Sequence, residues 1–383
     1  PLTRDETPVR EAKRDEFNLP EHAFVMAAFG NVYKITPEMF AAWMEILKEI
    51  PRAILWLIDD NTTTTTNLKA HAIKAGADID RILFTPRASH EDYRAKLKLA
   101  DGSIRVALLE REGAFRLLDL TQVARMRCLM DVLNSNDPIG LANFLVDRKA
   151  PPLDPRLVTV LAPIDEQEVW AAGVTYKRSQ VARMEESKAA ASHYDKVYTA
   201  PRPEIFFKAT ANRVSGPDQP LRVRADSGWS VPEPELALVI SSRGTHVGFT
   251  IGNDMSARDI EGENPLYLPQ AKLYNQCCGL GPFVWIPEEP LDRPATKIKL
   301  TILRAEVTVF QGQTDLDQMQ RGFDELIGWL IRENDLVCGA FLLTGTGVVP
   351  PDAFTLNDGD KVSIEITGIG TLNNPIVKAS PPQ

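Results

Sequence analysis

The 383-residue chain carries a formal net charge of −9 and a pI of about 5.3, so it has no general electrostatic pull toward nucleic acid or an anionic membrane. Its length allows two or three domains, and 44% hydrophobic with 25% charged residues is the balance of a soluble globular protein. No apolar run reaches the roughly 18 residues that cross a bilayer, and the start, PLTRDETPVREAKRDEF, is too charged for a signal peptide. Cys128, Cys277, Cys278 and Cys338 lack zinc-type spacing and read as reduced thiols of a cytoplasmic protein.

Residues 1–101 alternate strand and helix. FVMAAFG is a short apolar strand, and Thr36-Pro37-Glu38 supplies an N-cap, a proline at the first helical position and an early acid. AILWLID is the next strand and TNLKAHAIKAGA a helix ending at glycine. ILFTP is a third strand and SHEDYRAKLKLA a third helix. This βαβαβα order predicts a parallel sheet. The threonine run Thr62 to Thr66 reads as a loop or weak helix start, and His71 and His90 as surface residues on helices.

FGNVYKITPEMFAAWMEILKEIPRAILWLIDDN resembles part of the catalytic region of O-linked N-acetylglucosamine transferases. By that resemblance Lys34 matches a lysine that contacts sugar-nucleotide phosphates. The likeness stops near Leu99-Ala100-Asp101. The family's following phosphate-binding loop and its preceding half, with the catalytic histidine, have no counterpart here. Lys34 is therefore read as a solvated lysine, and residues 1–101 as a truncated or fused domain without activity.

Beyond Gly102, IRVALLEREGAFRLLDL reads as two short strands joined at Glu112-Gly113, followed by a helix around TQVARMRCLMDVLN and the proline-rich linker KAPPLDPRLVTVLAPID. Residues 102–164 are expected to form a small domain with its linker, and residues 165–383 the catalytic domain. The latter is rich in short strands (FVWI, KIKLTIL, VTVF, AFLLTG, KVSIEI), interrupted by one amphipathic helix, LDQMQRGFDELIGWLIREN. The predicted class is α+β, a mainly β roll or barrel preceded by a partial α/β segment.

Within this domain VPEPELALVISSRGTHVGFTIGNDMSARD concentrates carboxylates at strand ends. Side chains alternate along a strand, so Glu233 and Glu235 share a face. A hairpin turning at Arg243-Gly244 pairs Ser242 with Thr245 and, counting back, Glu233 with Asp254. Directly opposed residues have Cβ atoms roughly 4.5–5.5 Å apart. Three converging carboxylates repel one another unless a cation binds. Oxygen ligands without histidine or cysteine predict a hard ion, Mg²⁺ first, then Ca²⁺ or Mn²⁺; the alternative is a solvated acidic strand end.

The ExE pair, GNDMSARD, ENPLYLPQAK and LLTGTG resemble the fumarylacetoacetate hydrolase superfamily. RPEIFFKAT, VPEPELALV, SARDIEGENPLYLPQAK and GTGVVP resemble its sugar-acid branch, the 2-keto-3-deoxy-D-arabinonate dehydratases. The resemblance implies that Glu233, Glu235 and Asp254 are metal ligands, that Lys272 and Glu204 are catalytic, and that Lys208 and Thr346 bind substrate. It also implies a small 2-keto acid as substrate and a homo-oligomer. A 2-keto acid chelates Mg²⁺, which acidifies C3; a base takes that proton and an acid helps the C4 hydroxyl leave. Related hydrolases keep a histidine after the strand matching AAGVTY, where this chain has Arg178 and Ser179, assigned here to substrate contact. Glu185 and Glu186 remain without that partner, and His193 lies further on. Elimination of water is therefore expected over carbon–carbon hydrolysis of a fumarylacetoacetate or acylpyruvate type. A non-catalytic scaffold is the remaining alternative.

Overall fold

A computed structural model describes residues 14, 19–28, 35–59, 62–86, 92–110, 113–177, 198, 200–287 and 289–378, which divide into compact units at 90/91. In the first unit β1 (Phe24–Ala28), β2 (Ala53–Asp59) and β3 (Ile82–Pro86) form a parallel sheet in sequence order. Helix α1 (Pro37–Glu49) starts as its sequence predicts: the Thr36 hydroxyl accepts the Met39 amide at 3.2 Å. Phe40, Met44 and Leu47, spaced four and three apart, bury one face with Ala53, Leu55 and Leu57 of β2. Helix α2 (Thr62–Lys74) begins at the first residue of the threonine run, and Gly76 follows with φ +77°. His71 is exposed. Lys34 and His90 lie outside the described residues.

The third helix predicted for this segment is a strand, β4 (Asp92–Lys98), in the main sheet of the second unit. Tyr93, Ala95 and Leu97 alternate with Arg94, Lys96 and Lys98, and Ala95 and Leu97 are fully buried. Alanine, leucine and lysine favour a helix locally, but ladder pairing on both sides overrides that weak preference. Two other predicted helices shorten. The stretch around residues 121–134 contains a 3₁₀ turn (Leu120–Gln122) and α3 (Leu129–Leu133), followed by α4 (Pro138–Leu145).

The second unit packs two sheets. The larger runs in the order β6 (Phe115–Leu117), β5 (Ile104–Leu109), β4, β16 (Cys278–Ile286), β14 (His246–Asp254), β13 (Pro234–Ile240), β19 (Ala340–Leu343), β8 (Glu168–Gly173), β9 (Glu204–Thr210). β7 (Thr159–Leu161) pairs with β4, and β10 (Val214–Ser215) with β16. The smaller sheet runs β11 (Leu221–Val223), β21 (Gly370–Lys378), β20 (Lys361–Ile366), β17 (Lys297–Arg304), β18 (Val307–Asp315). A short pair, β12 (Ser230–Val231) with β15 (Ser256–Ala257), leads into α5 (Arg258–Glu263) and α6 (Leu268–Lys272). The long helix predicted over residues 316–334 resolves into a 3₁₀ turn (Leu316–Gln318) and α7 (Phe323–Leu330).

Strand β13 is buried on both faces. Leu236, Leu238 and Ile240 join Ile298, Leu300, Ile364 and Leu372 of the smaller sheet, whereas Ala237 and Val239 join Leu129, Val132 and Leu145 of the helices. Burial on both sides accounts for a nearly continuous apolar run. The hairpin β13–β14 keeps the expected register at its base, with Pro234 opposite Asn253 and Glu235 opposite Gly252. Its tip differs from expectation. Ser242, Arg243 and Gly244 form the loop, closed by Thr245 O accepting from Ser241 N, with Gly244 at φ +71°. A bulge at Val247 absorbs the extra loop residue, so the two irregularities cancel before the strand ends.

Candidate metal centre and active site

At the base of that hairpin the Asp254 amide donates to Glu233 O at 3.0 Å, extending the ladder by one pair. One carboxylate oxygen each from Glu233, Glu235 and Asp254 lies within 4.8 Å of the other two, and all three residues are at most 4% exposed. Each carboxylate is also held from outside. Glu233 Oε1 accepts from Ser256 Oγ at 3.0 Å and pairs with Arg258 Nη2 at 2.8 Å. Glu235 Oε2 accepts from the Gly345 amide at 2.6 Å. Asp254 Oδ1 pairs with Lys208 Nζ at 2.6 Å. Lys272, delivered by α6, donates its ammonium to Glu233 Oε2 at 2.9 Å and Asp254 Oδ2 at 2.8 Å.

Burial first, then the charges of Asp254 and Glu233, push the Glu235 carboxyl well above the usual carboxylate range, against the opposing pull of Lys272. Crowded anionic oxygen relieved by positive charge is the environment a hard divalent cation fits, and the three acids together can hold one. Lys208 has the opposite balance: burial is the largest single influence and disfavours its charge, yet Asp254 together with Cys277 and Cys278 outweighs it and raises the ammonium above the usual lysine range.

The three carboxylates open onto a narrow pocket also lined by Glu204, Phe206, Glu261, Lys272 and Thr346. Glu204 begins β9, where it pairs with Gly173 of β8. Its carboxylate lies over that glycine, and a Cβ there would meet Glu204 Oε2 at 2.1 Å. Lys272 Nζ also sits 5.5 Å from the centre of the Phe206 ring. At the β19 end, Gly345 has φ +91°, and a Cβ on it would fall 2.0 Å from Thr175 Oγ1. Only glycine keeps its amide aimed at Glu235 without strain.

Six of the nine site residues expected from the sequence line one pocket: Glu233, Glu235, Asp254, Lys272, Glu204 and Thr346. Lys208 is not among the residues lining that pocket. Its ammonium pairs with Asp254 and donates to the carbonyls of Met255 and Lys272 at 2.9 and 2.5 Å. Arg178 and Ser179, with Glu185, Glu186 and His193, lie outside the described residues. Arg258, Ser256, Gly345 and Glu261 join the site without having been expected from the sequence. The SARD string adjoining Asp254 could have pointed to the first two; nothing local marks Gly345 as a partner of a residue 110 positions away.

Residues 168–377 match the fumarylacetoacetate (FAA) hydrolase C-terminal family, and residues 4–111 match glycosyl transferase family 41. A probable 2-keto-3-deoxyxylonate dehydratase of Haloferax volcanii is 49% identical over 214 residues, 56% of this chain and 73% of the relative. A 2-dehydro-3-deoxy-D-arabinonate dehydratase of Saccharolobus solfataricus is 44% identical, covering 58% of this chain and 75% of the relative. A solved 2-keto-3-deoxy-D-arabinonate dehydratase, described as complexed with magnesium and 2,5-dioxopentanoate, superposes with a TM-score of 0.66 at 35% identity. It covers 76% of this chain and all of that one. No helix among the described residues is long and apolar enough to cross a membrane. With more than half its length matched and the acidic triad in place, this chain belongs to the fumarylacetoacetate hydrolase family.

Proposed function

We propose that the chain is a Mg²⁺-dependent dehydratase of a 2-keto-3-deoxy sugar acid, of the 2-keto-3-deoxy-D-arabinonate type, releasing a keto acid with a terminal aldehyde. The observation that carries this reading is the convergence of Glu233, Glu235 and Asp254 with Lys272 and Glu204 in one pocket. The names of the two dehydratase relatives and the magnesium-bound structure support it. Glu233, Glu235 and Asp254 would hold Mg²⁺, which as a Lewis acid makes the C3 proton of a 2-keto acid easier to remove.

The chain's own groups then manage the protons. Lys272, held between Glu233 and Asp254, carries a proton or stabilises the enolate, and Glu204 on the β9 side is the second acid/base group. A proton leaves C3 and the C4 hydroxyl departs as water. The new double bond then moves toward C5 as C5 gives up a proton and C3 regains one, and the resulting enol ketonises to the aldehyde. Thr346 contributes a hydroxyl at the pocket wall, and Arg178 and Ser179 are proposed to contact substrate. A homo-oligomer and a cytoplasmic location belong to the same proposal. Light scattering on the purified chain tests the first.

Product analysis with a 2-keto-3-deoxy pentonate and Mg²⁺ tests the chemistry. A five-carbon keto-aldehyde acid and no two- or three-carbon fragments are expected, with Lys272→Ala slower by roughly 10²–10⁴. Pyruvate, or faster cleavage of acylpyruvates, would move the assignment to hydrolysis or aldol cleavage. No bound cation and no turnover would leave a scaffold.

A further inference from the structure

Val174 has φ +54°, a left-handed backbone that β-branched residues rarely adopt, and it is buried. The chain cannot relax there, because both neighbours are fixed. On one side Gly173 ends the β8–β9 ladder opposite Glu204. On the other, Thr175 Oγ1 donates to Thr344 O at 2.6 Å, the Gln320 amide donates to Thr175 O at 2.8 Å, and Tyr176 bridges to Met319. Glycine or asparagine would take such a backbone more readily, and strain held in this way concentrates at functional sites.

The core makes no use of this side chain. Val174 joins none of the hydrophobic clusters among the described residues, and lines the pocket of the three carboxylates instead. Ala172 and Phe206 are the other apolar side chains of that wall, which is otherwise acids, Lys272, Thr346 and two glycines. Ala172 packs in the cluster that holds Ile298 and Ile364, and the Lys272 ammonium lies 5.5 Å from the centre of the Phe206 ring. β-Branched side chains are also stiff at χ1, so on a backbone pinned at both ends the isopropyl group is a wall that does not turn aside.

We propose that Val174 determines specificity: its isopropyl group takes the bare C3 methylene of a 2-keto-3-deoxy acid and selects against acids that carry a hydroxyl at C3. This rests on the reading of the pocket as the site of such an acid. C3 is the one carbon of that substrate that bears no oxygen. A methylene loses nothing against an apolar wall, whereas a hydroxyl pressed on it gives up water without gaining a partner. A hydrophobic surface rejects an added hydroxyl by up to about 10²-fold.

Titration calorimetry on the full chain with MgCl₂ compares 2-oxopentanoate with 3-hydroxy-2-oxopentanoate. The two differ by one oxygen at C3 and lack the C4 hydroxyl that would leave, so the reading is independent of turnover. The wild type is expected to bind 2-oxopentanoate more tightly, by about tenfold to 10²-fold. Val174→Thr keeps the β-branched shape but sets a hydroxyl in the wall, and should bring the two constants within about threefold. Val174→Gly removes the wall and relaxes the backbone, and should weaken 2-oxopentanoate about tenfold while leaving the hydroxylated acid nearly unchanged. A melting curve accompanies each variant, and should Val174→Thr fail to fold, Val174→Gly decides alone. A wild type without preference, or a ratio unmoved within twofold in the folded variants, overturns the proposal and leaves Val174 a mere connector from β8 to Thr175. If neither acid binds, the reading of the pocket falls and the proposal with it. If the ratios shift as expected while no sugar acid is dehydrated, the apolar wall stands and the substrate assignment falls.

Discussion

Gly173→Ala tests the role of Glu204 without altering Glu204. The new Cβ would stand 2.1 Å from Glu204 Oε2 and 2.6 Å from its Cδ, against the 3.4 Å at which ordinary contact begins. The carboxylate must therefore retreat by about 1.3 Å, or swing aside. The atoms it meets are the far end of a flexible side chain and no φ strain arises at Gly173, so the β8–β9 pairing should survive. Replacing a strand glycine whose backbone suits alanine adds roughly 0.4–1 kcal/mol through the unfolded state, so thermal stability should hold or rise slightly. Misplacing a catalytic group by about 1 Å costs on the order of 10²-fold, or roughly 2.7 kcal/mol of barrier. Glu204→Gln, which removes the acid outright, should cost about 10²–10⁴-fold. Steady-state rates with a 2-keto-3-deoxy pentonate, beside a melting curve for each variant, provide the assay. A folded Gly173→Ala enzyme that turns over within threefold of the wild type would refute the placement of the Glu204 carboxylate as a proton carrier.

Glu233→Gln should weaken Mg²⁺ binding and abolish turnover while leaving the fold largely intact, as checked by calorimetry and circular dichroism; full activity in EDTA-treated wild type would sink the metal reading. Gly345→Ala forces a side chain into φ +91° and against Thr175 Oγ1, so a loss of about 1–3 kcal/mol is expected. That should appear as a melting temperature lower by roughly 2–4 °C per kcal/mol, and an unchanged melt would show that the backbone there adapts freely. The N-terminal segment should bind no sugar nucleotide. Saturable UDP binding to the full chain, lost in Lys34→Ala, would reverse that expectation.

Local chemistry made several features legible. Thr36 and Pro37 mark the start of α1 because an N-cap hydroxyl and a preset φ act within one turn of chain. The acids of β13 and β14 could be aligned because side-chain alternation and ladder pairing propagate a register over any distance from the turn. The loop holds one residue more than the expected two, yet the bulge at Val247 returns Glu233 to Asp254, since both irregularities lie above the acids. The family strings placed Lys272 and Glu204 at the pocket, where no local pattern distinguishes either from a surface residue.

What the chain alone could not decide depends on which distant segments become neighbours. Residues 92–98 have the composition of a helix and become a strand because β5, β7 and β16 pair with them. Lys208 looks like a ligand for a substrate carboxylate, and only the folded chain shows its ammonium on Asp254 and on the carbonyls of Met255 and Lys272. Gly345 reaches Glu235 across 110 residues only because β19 lies beside β13. The identities of the acids, and hence the kind of ion they suit, follow from residue type and alternation, which are properties of the sequence. The contacts that hold each acid follow from packing between segments far apart in the chain, which tertiary structure alone brings into contact.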